Sequence, residues 1–152
     1  MDKMHEYLNS LHNILTRTEV TDAKSERVDT TTAIDKIIAM LEAVRDARAK
    51  NIFIGNGGSA AIASHFRVDL TKTANIRSAN YNEADLITCF SNDYGYERWV
   101  EKAIDFYSDK GDVLILISSS GESKNMINAC KFAKKKKLSK IITFTGHKKN
   151  NS

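Results

Sequence analysis

Asn51-Ile52-Phe53-Ile54-Gly55-Asn56-Gly57-Gly58-Ser59, followed at once by Ala60-Ala61-Ile62-Ala63-Ser64-His65-Phe66, reads as an apolar strand, a glycine-rich turn and a helix. A second stretch repeats the plan. Val113-Leu114-Ile115-Leu116-Ile117 runs into Ser118-Ser119-Ser120-Gly121-Glu122-Ser123 and then into Asn125-Met126-Ile127-Asn128-Ala129-Cys130. Strand, small polar loop, then helix is an order that aims free backbone N–H groups and the positive end of a helix dipole at whatever lies above the strand end. Ser118, Ser119, Ser120 and Ser123 add neutral hydroxyl donors. The chemistry suits a phosphate with further polar groups attached.

Outward from these two stretches the chain alternates strand and helix. The first strand spans 51–55, with its helix over about 59–72, and a short run at 76–81 reads as a second strand. Residues 83–107 read as mostly helical, interrupted near Asn92-Asp93-Tyr94-Gly95. A third strand at 113–117 leads to a helix at 123–136, and a fourth strand at 140–145 ends in Gly146. Strands one and three are unbroken apolar runs, as expected of a parallel sheet covered on both faces. The alternation predicts a doubly wound α/β domain whose binding crevice lies at the carboxyl ends of the strands, where both loops fall.

Ahead of the sheet, residues 3–20 carry Met4, Tyr7, Leu8, Leu11, Ile14 and Leu15 at helical spacing, and Thr18–Arg27 reads as a polar connection. A second helix is capped by Asp29 or Thr30 and marked by Ile34, Ile37, Ile38, Leu41 and Val44. These two helices, residues 1–48, are expected to cover a sheet face or bind a second subunit, and 50–146 to form the α/β core. With 152 residues the chain reads as one domain. After the fourth strand only His147 to Ser152 follow, so a last strand and helix of such a sheet are expected to be missing, and His147 reads as a solvated loop residue.

Composition excludes several function classes. No run approaches the ~18 apolar residues of a membrane span, and the mixed-charge start Met1-Asp2-Lys3-Met4-His5-Glu6 is unlike a secretory leader. A cytoplasmic location is therefore expected. Cys89 and Cys130 lack metal-type spacing and read as reduced core thiols. The net charge of +4 comes largely from Lys131, Lys134 to Lys137, Lys140, Lys148 and Lys149. Without interleaved aromatics or a nucleic-acid motif, this cluster reads as a solvated helix end, and no nucleic-acid partner is expected. There is no proline, so a long linker is not expected either.

Gly55-Asn56-Gly57-Gly58-Ser59-Ala60 also fits the G-x-G-x-x-A form of the dinucleotide fingerprint. That reading wants an acid at the end of strand two, where Glu83 comes late, and it leaves the serine loop unexplained. A Walker A loop is excluded because no Gly-Lys-Ser/Thr follows.

Gly55-Asn56-Gly57-Gly58-Ser59, Asn92-Asp93-Tyr94-Gly95 and Ser118-Ser119-Ser120-Gly121-Glu122-Ser123, in that order, resemble the sugar isomerase (SIS) family, and within it the phosphoheptose isomerases. The resemblance runs from the N-terminal helices to residue 146. It implies a flavodoxin-like parallel sheet, a homotetramer with active sites at subunit interfaces, and conversion of sedoheptulose 7-phosphate to glycero-manno-heptose 7-phosphate for surface polysaccharides. It further implies that Ser118, Ser119, Ser120 and Ser123 hold the phosphate, that Asn56, Gly57, Gly58 and Ser59 line the sugar, and that Asp93 touches its hydroxyls. The Asn-Asp-Tyr-Gly run around Asp93 is equally good turn chemistry.

Isomerisation needs a base beside the carbonyl and an acid for the oxygens. His65 and Asp69, at i and i+4 of the helix after the first loop, share one face. The resemblance casts Asp69, where the isomerases usually carry a glutamate, as base, and His65 as assistant or zinc ligand together with Asp69. His65 is equally readable as a packed helix residue. Thr73 stands where the isomerases tend to carry an arginine, with Lys72 adjacent, and the family's second catalytic histidine and a metal-binding glutamine have no counterpart here. A sugar-phosphate-binding protein without catalysis, acting on a protein partner, is the alternative function. Trp99, Tyr94, Tyr96, Phe106 and Tyr107 read as packing residues, and Arg67 as solvent- or neighbour-facing.

Overall fold

The computed structural model of the chain describes residues 2–146; His147 and the residues after it lie outside them. Two compact units are present, one ending at Met40 and one beginning at Leu41.

In the first unit, helix α1 (Lys3–Thr16) starts where the Asp2 carboxylate accepts the Met4 N–H. No residue of α1 is buried, and its apolar stripe, Met4 to Leu15, is exposed. The expected polar connection contains more order than its composition suggested. Strands β1 (Val20–Thr21) and β2 (Arg27–Val28) pair antiparallel. Asp22 makes their turn, accepting the Lys24 and Glu26 N–H groups at 2.8 and 3.0 Å. Helix α2 (Thr30–Asp46) is capped by Asp29, whose carboxylate accepts the Thr32 N–H at 2.9 Å. That bond holds the Asp29 carboxyl below its ordinary range, because it favours the charged form.

The second unit is a four-stranded parallel sheet in the order β4 (Ser78–Asn80), β3 (Asn51–Gly55), β5 (Val113–Ile117), β6 (Lys140–Phe144). This flavodoxin-like order places the topological switch point between β3 and β5, whose strands run in register from Asn51 opposite Val113 to Gly55 opposite Ile117. Helices α3 (Gly58–Ala74), α4 (Ala84–Tyr94), α5 (Trp99–Tyr107) and α6 (Lys124–Lys136) connect the strands.

Strand alternation divides the core in two. Ile52, Ile54, Leu114 and Leu116 pack with Trp99, Val100 and Ile104 of α5 and Met126, Ala129 and Ala133 of α6. Phe53, Val113 and Ile115 pack on the other face with Ala63 of α3, Ile76 and Val44. Both faces are covered, which is why β3 and β5 carry no polar alternation.

At the amino ends of the strands, Asp112 is 1% exposed and is held by the Lys50 ammonium at 2.7 Å, the Lys50 N–H at 3.0 Å and the Asp109 N–H at 2.8 Å. Burial pushes the Lys50 ammonium toward neutrality, but its bonds to Asp109 and Asp112 outweigh that and leave its pKa raised.

Two residues, Cys89 and Lys136, differ from their reading in the sequence, whereas Cys130 packs against the core as read. Cys89 is exposed on α4 rather than in the core, with its Sγ 3.8 Å from the Asp93 carboxylate. Cys130 is half-buried, and that burial pushes its thiol up. Lys136 is not a solvated charge like Lys134 and Lys135. Its ammonium donates to the Ile104 and Asp105 carbonyls at 2.9 and 2.6 Å at the carboxyl end of α5, where the negative dipole end favours a cation; the Ile104 carbonyl also accepts the Ser108 N–H and hydroxyl. No helix of the described residues is long and apolar enough to cross a membrane.

Candidate functional site

The turn after β3 is built on a close approach. A Cβ on Gly55 would lie 2.4 Å from the Ser59 carbonyl carbon and 2.8 Å from the Ala60 nitrogen, so only glycine lets α3 fold back so tightly. Gly57 follows with φ of +56°, in the region that glycine enters freely. Because β4 ends at Asn80, the end of β3 is finished by a side chain instead of a strand. Asn82 accepts the Gly55 N–H at 3.3 Å and donates to the Gly55 carbonyl at 2.8 Å. Asn80 braces Asn82 and donates to the Phe53 carbonyl at 2.7 Å.

The turn after β5 folds on itself. The Gly121 N–H donates to the Ser118 carbonyl and hydroxyl at 3.1 and 3.2 Å, and Ser120 Oγ accepts the Glu122 N–H at 3.1 Å. Backbone bonds from Ser118 N to Phe144 O and from Gly146 N to Ser119 O tie the loop to the end of β6. Ser118 is buried, Ser119 exposed, and Ser120 and Ser123 intermediate. Ser123 opens α6 without spending its hydroxyl on a cap, so the hydroxyl and the N–H groups of Lys124 and Asn125 remain available to an anion, while the Met126 N–H is taken by Ser123 O and Asn125 Oδ1.

The two turns are joined by side chains. Asn56 Nδ2 donates to Asn125 Oδ1 at 3.1 Å and Asn125 Nδ2 donates back to Asn56 Oδ1 at 3.0 Å. Asn125 is 2% exposed, whereas Asn56 is half-buried. The Tyr96 hydroxyl also donates to Asn56 Oδ1, at 3.3 Å. Around this junction lies an open cleft of about 630 Å³, lined by Asn56, Tyr94, Gly95, Tyr96, Glu97, Ser123, Lys124 and Asn125. Such a cleft, with amides, a hydroxyl and a helix N-terminus converging on it, can hold a small polyhydroxylated anion.

Asn56 and Ser123 thus meet at one cleft, and Gly57, Gly58 and Ser59 form the turn and first residues of α3 beside it. Asp93 is exposed near the end of α4, where its carboxylate accepts from Asn92 at 3.0 Å and does not line the cleft. His65 and Asp69 do pair across one turn of α3, Nε2 to Oδ2 at 3.5 Å, but their side chains are 78% and 57% exposed and lie outside the cleft lining. Arg67 is exposed as well. For zinc the donor set falls short. His65 and Asp69 offer two ligands where zinc takes three or four from protein, and no group of three His, Cys, Asp or Glu side chains comes together among the described residues. These residues by themselves do not fit the metal.

Six lining residues, Tyr94, Gly95, Tyr96, Glu97, Lys124 and Asn125, were not singled out as a site from the sequence. Tyr94 and Tyr96 were read as packing aromatics, yet both line the cleft, whereas Trp99 is fully buried as expected. Asn125 and Lys124 directly follow the serine loop, and their place at the N-terminus of its helix was the signal that could have found them.

The family profile of the SIS domain matches residues 6–146. The chain belongs to the SIS domain family. Among curated SIS relatives, it is 39% identical over 102 residues to the phosphoheptose isomerase of Histophilus somni (strain 2336), covering 64% of this chain and 52% of that one. It is 37% identical over 119 residues to that of Proteus mirabilis (strain HI4320), covering 75% and 62%. The chain spans roughly half the length of such relatives. In structure it matches the phosphoheptose isomerase of Neisseria gonorrhoeae with a TM-score of 0.75 at 25% identity, over 95% of this chain and 72% of that one. A Francisella tularensis phosphoheptose isomerase shares the fold, with a TM-score of 0.73 at 20% identity over 97% and 77%.

Proposed function

We propose that this SIS-domain chain is a cytoplasmic aldose–ketose isomerase of a sugar phosphate, converting sedoheptulose 7-phosphate to glycero-manno-heptose 7-phosphate for surface polysaccharides. The observation that carries the reading is the reciprocal Asn56–Asn125 amide pair, which joins the glycine turn of β3 to the start of α6 beside the uncapped Ser123. In this reading Ser118, Ser119, Ser120 and Ser123 hold the phosphate, Asn56 to Ser59 line the sugar, and Asp93 meets its hydroxyls. Asp69 takes the proton from the carbon beside the carbonyl and returns it to the former carbonyl carbon. His65, 3.5 Å from that carboxylate, serves the oxygens. A second copy of the chain, in a tetramer, covers the exposed face of α3 and closes the site at a subunit interface.

A second reading, a sugar-phosphate binder without turnover that regulates a protein partner, is favoured by the exposure of His65 and Asp69 outside the cleft. One experiment separates the two. In D2O with sedoheptulose 7-phosphate, the isomerase broadens the phosphorus resonance and also introduces deuterium beside the carbonyl above the buffer control. Asp69→Asn abolishes the uptake and keeps the broadening. Broadening by the unsubstituted protein without uptake selects the binder, and the absence of both rejects this substrate.

A further inference from the structure

The serine loop and the opening of α6 offer a phosphate neutral donors and the partial positive charge of a helix end, about half an elementary charge. A phosphate monoester near neutral pH carries about −1.5 to −2. Among the residues lining the cleft, Lys124 is the one cation. It is the first residue of α6, directly after Ser123, and its ammonium lies 4.0 Å from the Glu97 carboxylate. Both side chains are largely exposed, at 82% and 57%. An exposed pair at this separation is among the weaker contacts in a protein and is readily exchanged. Glu97 is anchored through its backbone, since Asn128 Nδ2 donates to the Glu97 carbonyl at 3.0 Å. Both residues line the cleft, so the pair lies at its rim, and among the described residues no hydrogen bond other than this weak ion pair is seen at the Lys124 ammonium.

We propose that Lys124 is a phosphate-binding residue of this site, held by Glu97 when the cleft is empty and exchanging that carboxylate for the phosphate of the ligand. The inference rests on the phosphate reading above and extends it. The site selects dianionic phosphate esters, because Lys124 supplies charge that the serines lack and Glu97 disfavours an anion that cannot recruit Lys124. Glu97 acts through Lys124 and is a positioning residue.

The test is titration of the full chain with inorganic phosphate at low and high salt, followed by calorimetry. Lys124→Gln weakens binding about fivefold at low salt, the order expected for one solvent-exposed unit charge near the ligand. It also flattens the salt dependence, since one screened attraction is gone. Glu97→Gln strengthens binding about threefold on the same grounds. Lys131→Gln, an exposed lysine of the same helix outside the cleft, leaves binding unchanged. Equal losses in the Lys124 and Lys131 variants would reduce the effect to bulk charge and overturn the proposal. Unchanged binding in Lys124→Gln, alongside loss in Ser123→Ala, overturns it and leaves the phosphate reading standing. No phosphate binding by the unsubstituted chain overturns both.

Discussion

Replacing Asn56 and Asn125 with alanine, singly and together, asks how strongly the two loops are joined. The pair makes two amide–amide hydrogen bonds, at 3.1 and 3.0 Å, and Asn125 is 2% exposed. A net hydrogen bond contributes about 0.5–1.5 kcal/mol, and an orphaned buried partner costs about 1–3 kcal/mol. Asn56→Ala strands the Asn125 amide in a site water barely reaches, so it costs about 2 kcal/mol. Asn125→Ala costs about the same: Asn56 recovers water, but a buried side chain is lost and the N–H of Met126, which donates to Asn125 Oδ1, loses that contact. Because each single change already breaks both bonds, the double variant costs about 2–3 kcal/mol rather than 4, a coupling of about 1–2 kcal/mol. For a chain of this size each kcal/mol moves the midpoint by about 2–4 °C, so the single variants melt about 4–8 °C low. Urea unfolding of all four proteins gives the coupling directly. Additivity within about 0.5 kcal/mol would mean that the loops are held by their own backbones and that the amide pair joins nothing.

Gly55→Ala forces a Cβ against the Ser59 and Ala60 backbone and destabilises by more than about 3 kcal/mol in urea unfolding; a smaller loss would show that the turn relaxes. Lys50→Met leaves the buried Asp112 carboxylate with two backbone N–H donors and no cation, costing about 2–3 kcal/mol, while Asp109→Asn, with its exposed side chain, leaves the midpoint nearly unchanged. The Lys50 pKa is raised on folding, so its stabilisation is complete below the unfolded value of about 10.4 and is lost as pH rises through the folded one; Lys50→Met removes this alkaline limb. Asp29 has the opposite sign. Its lowered carboxyl stabilises α2 fully above about pH 4 and less as pH falls through the folded value, and Asp29→Asn keeps the cap but loses that acid dependence in circular dichroism.

The sheet was legible because its signal is local and strong. A short apolar run, three residues in β3 and five in β5, followed by glycine or serine, identifies both strands to the residue and the loops after them. The interruption near Asn92–Gly95 likewise marks the break between α4 and α5. The hairpin of Val20–Thr21 and Arg27–Val28 was not legible, since two-residue strands have no periodicity and Asp22 alone carries the turn. Cys89 misled because its apolar neighbours sit on other faces of α4. Lys136 misled because a helix-end lysine run looks uniformly solvated until the carboxyl end of α5 presents its carbonyls to one member. At the site, the two loops could be read one by one, but their junction could not. Asn125 reaches Asn56 across 69 positions of chain, and Tyr96 joins from a third loop; only the parallel pairing of β3 with β5 brings them together.

The central claim is that the glycine turn of β3 and the serine loop of β5 form one phosphate-sugar site. Backbone amide shifts during titration with sedoheptulose 7-phosphate test it most directly. The account predicts saturable shifts, with one dissociation constant, at both Asn56–Ser59 and Ser118–Asn125. Shifts confined to one loop, or centred on residues away from both, would contradict it.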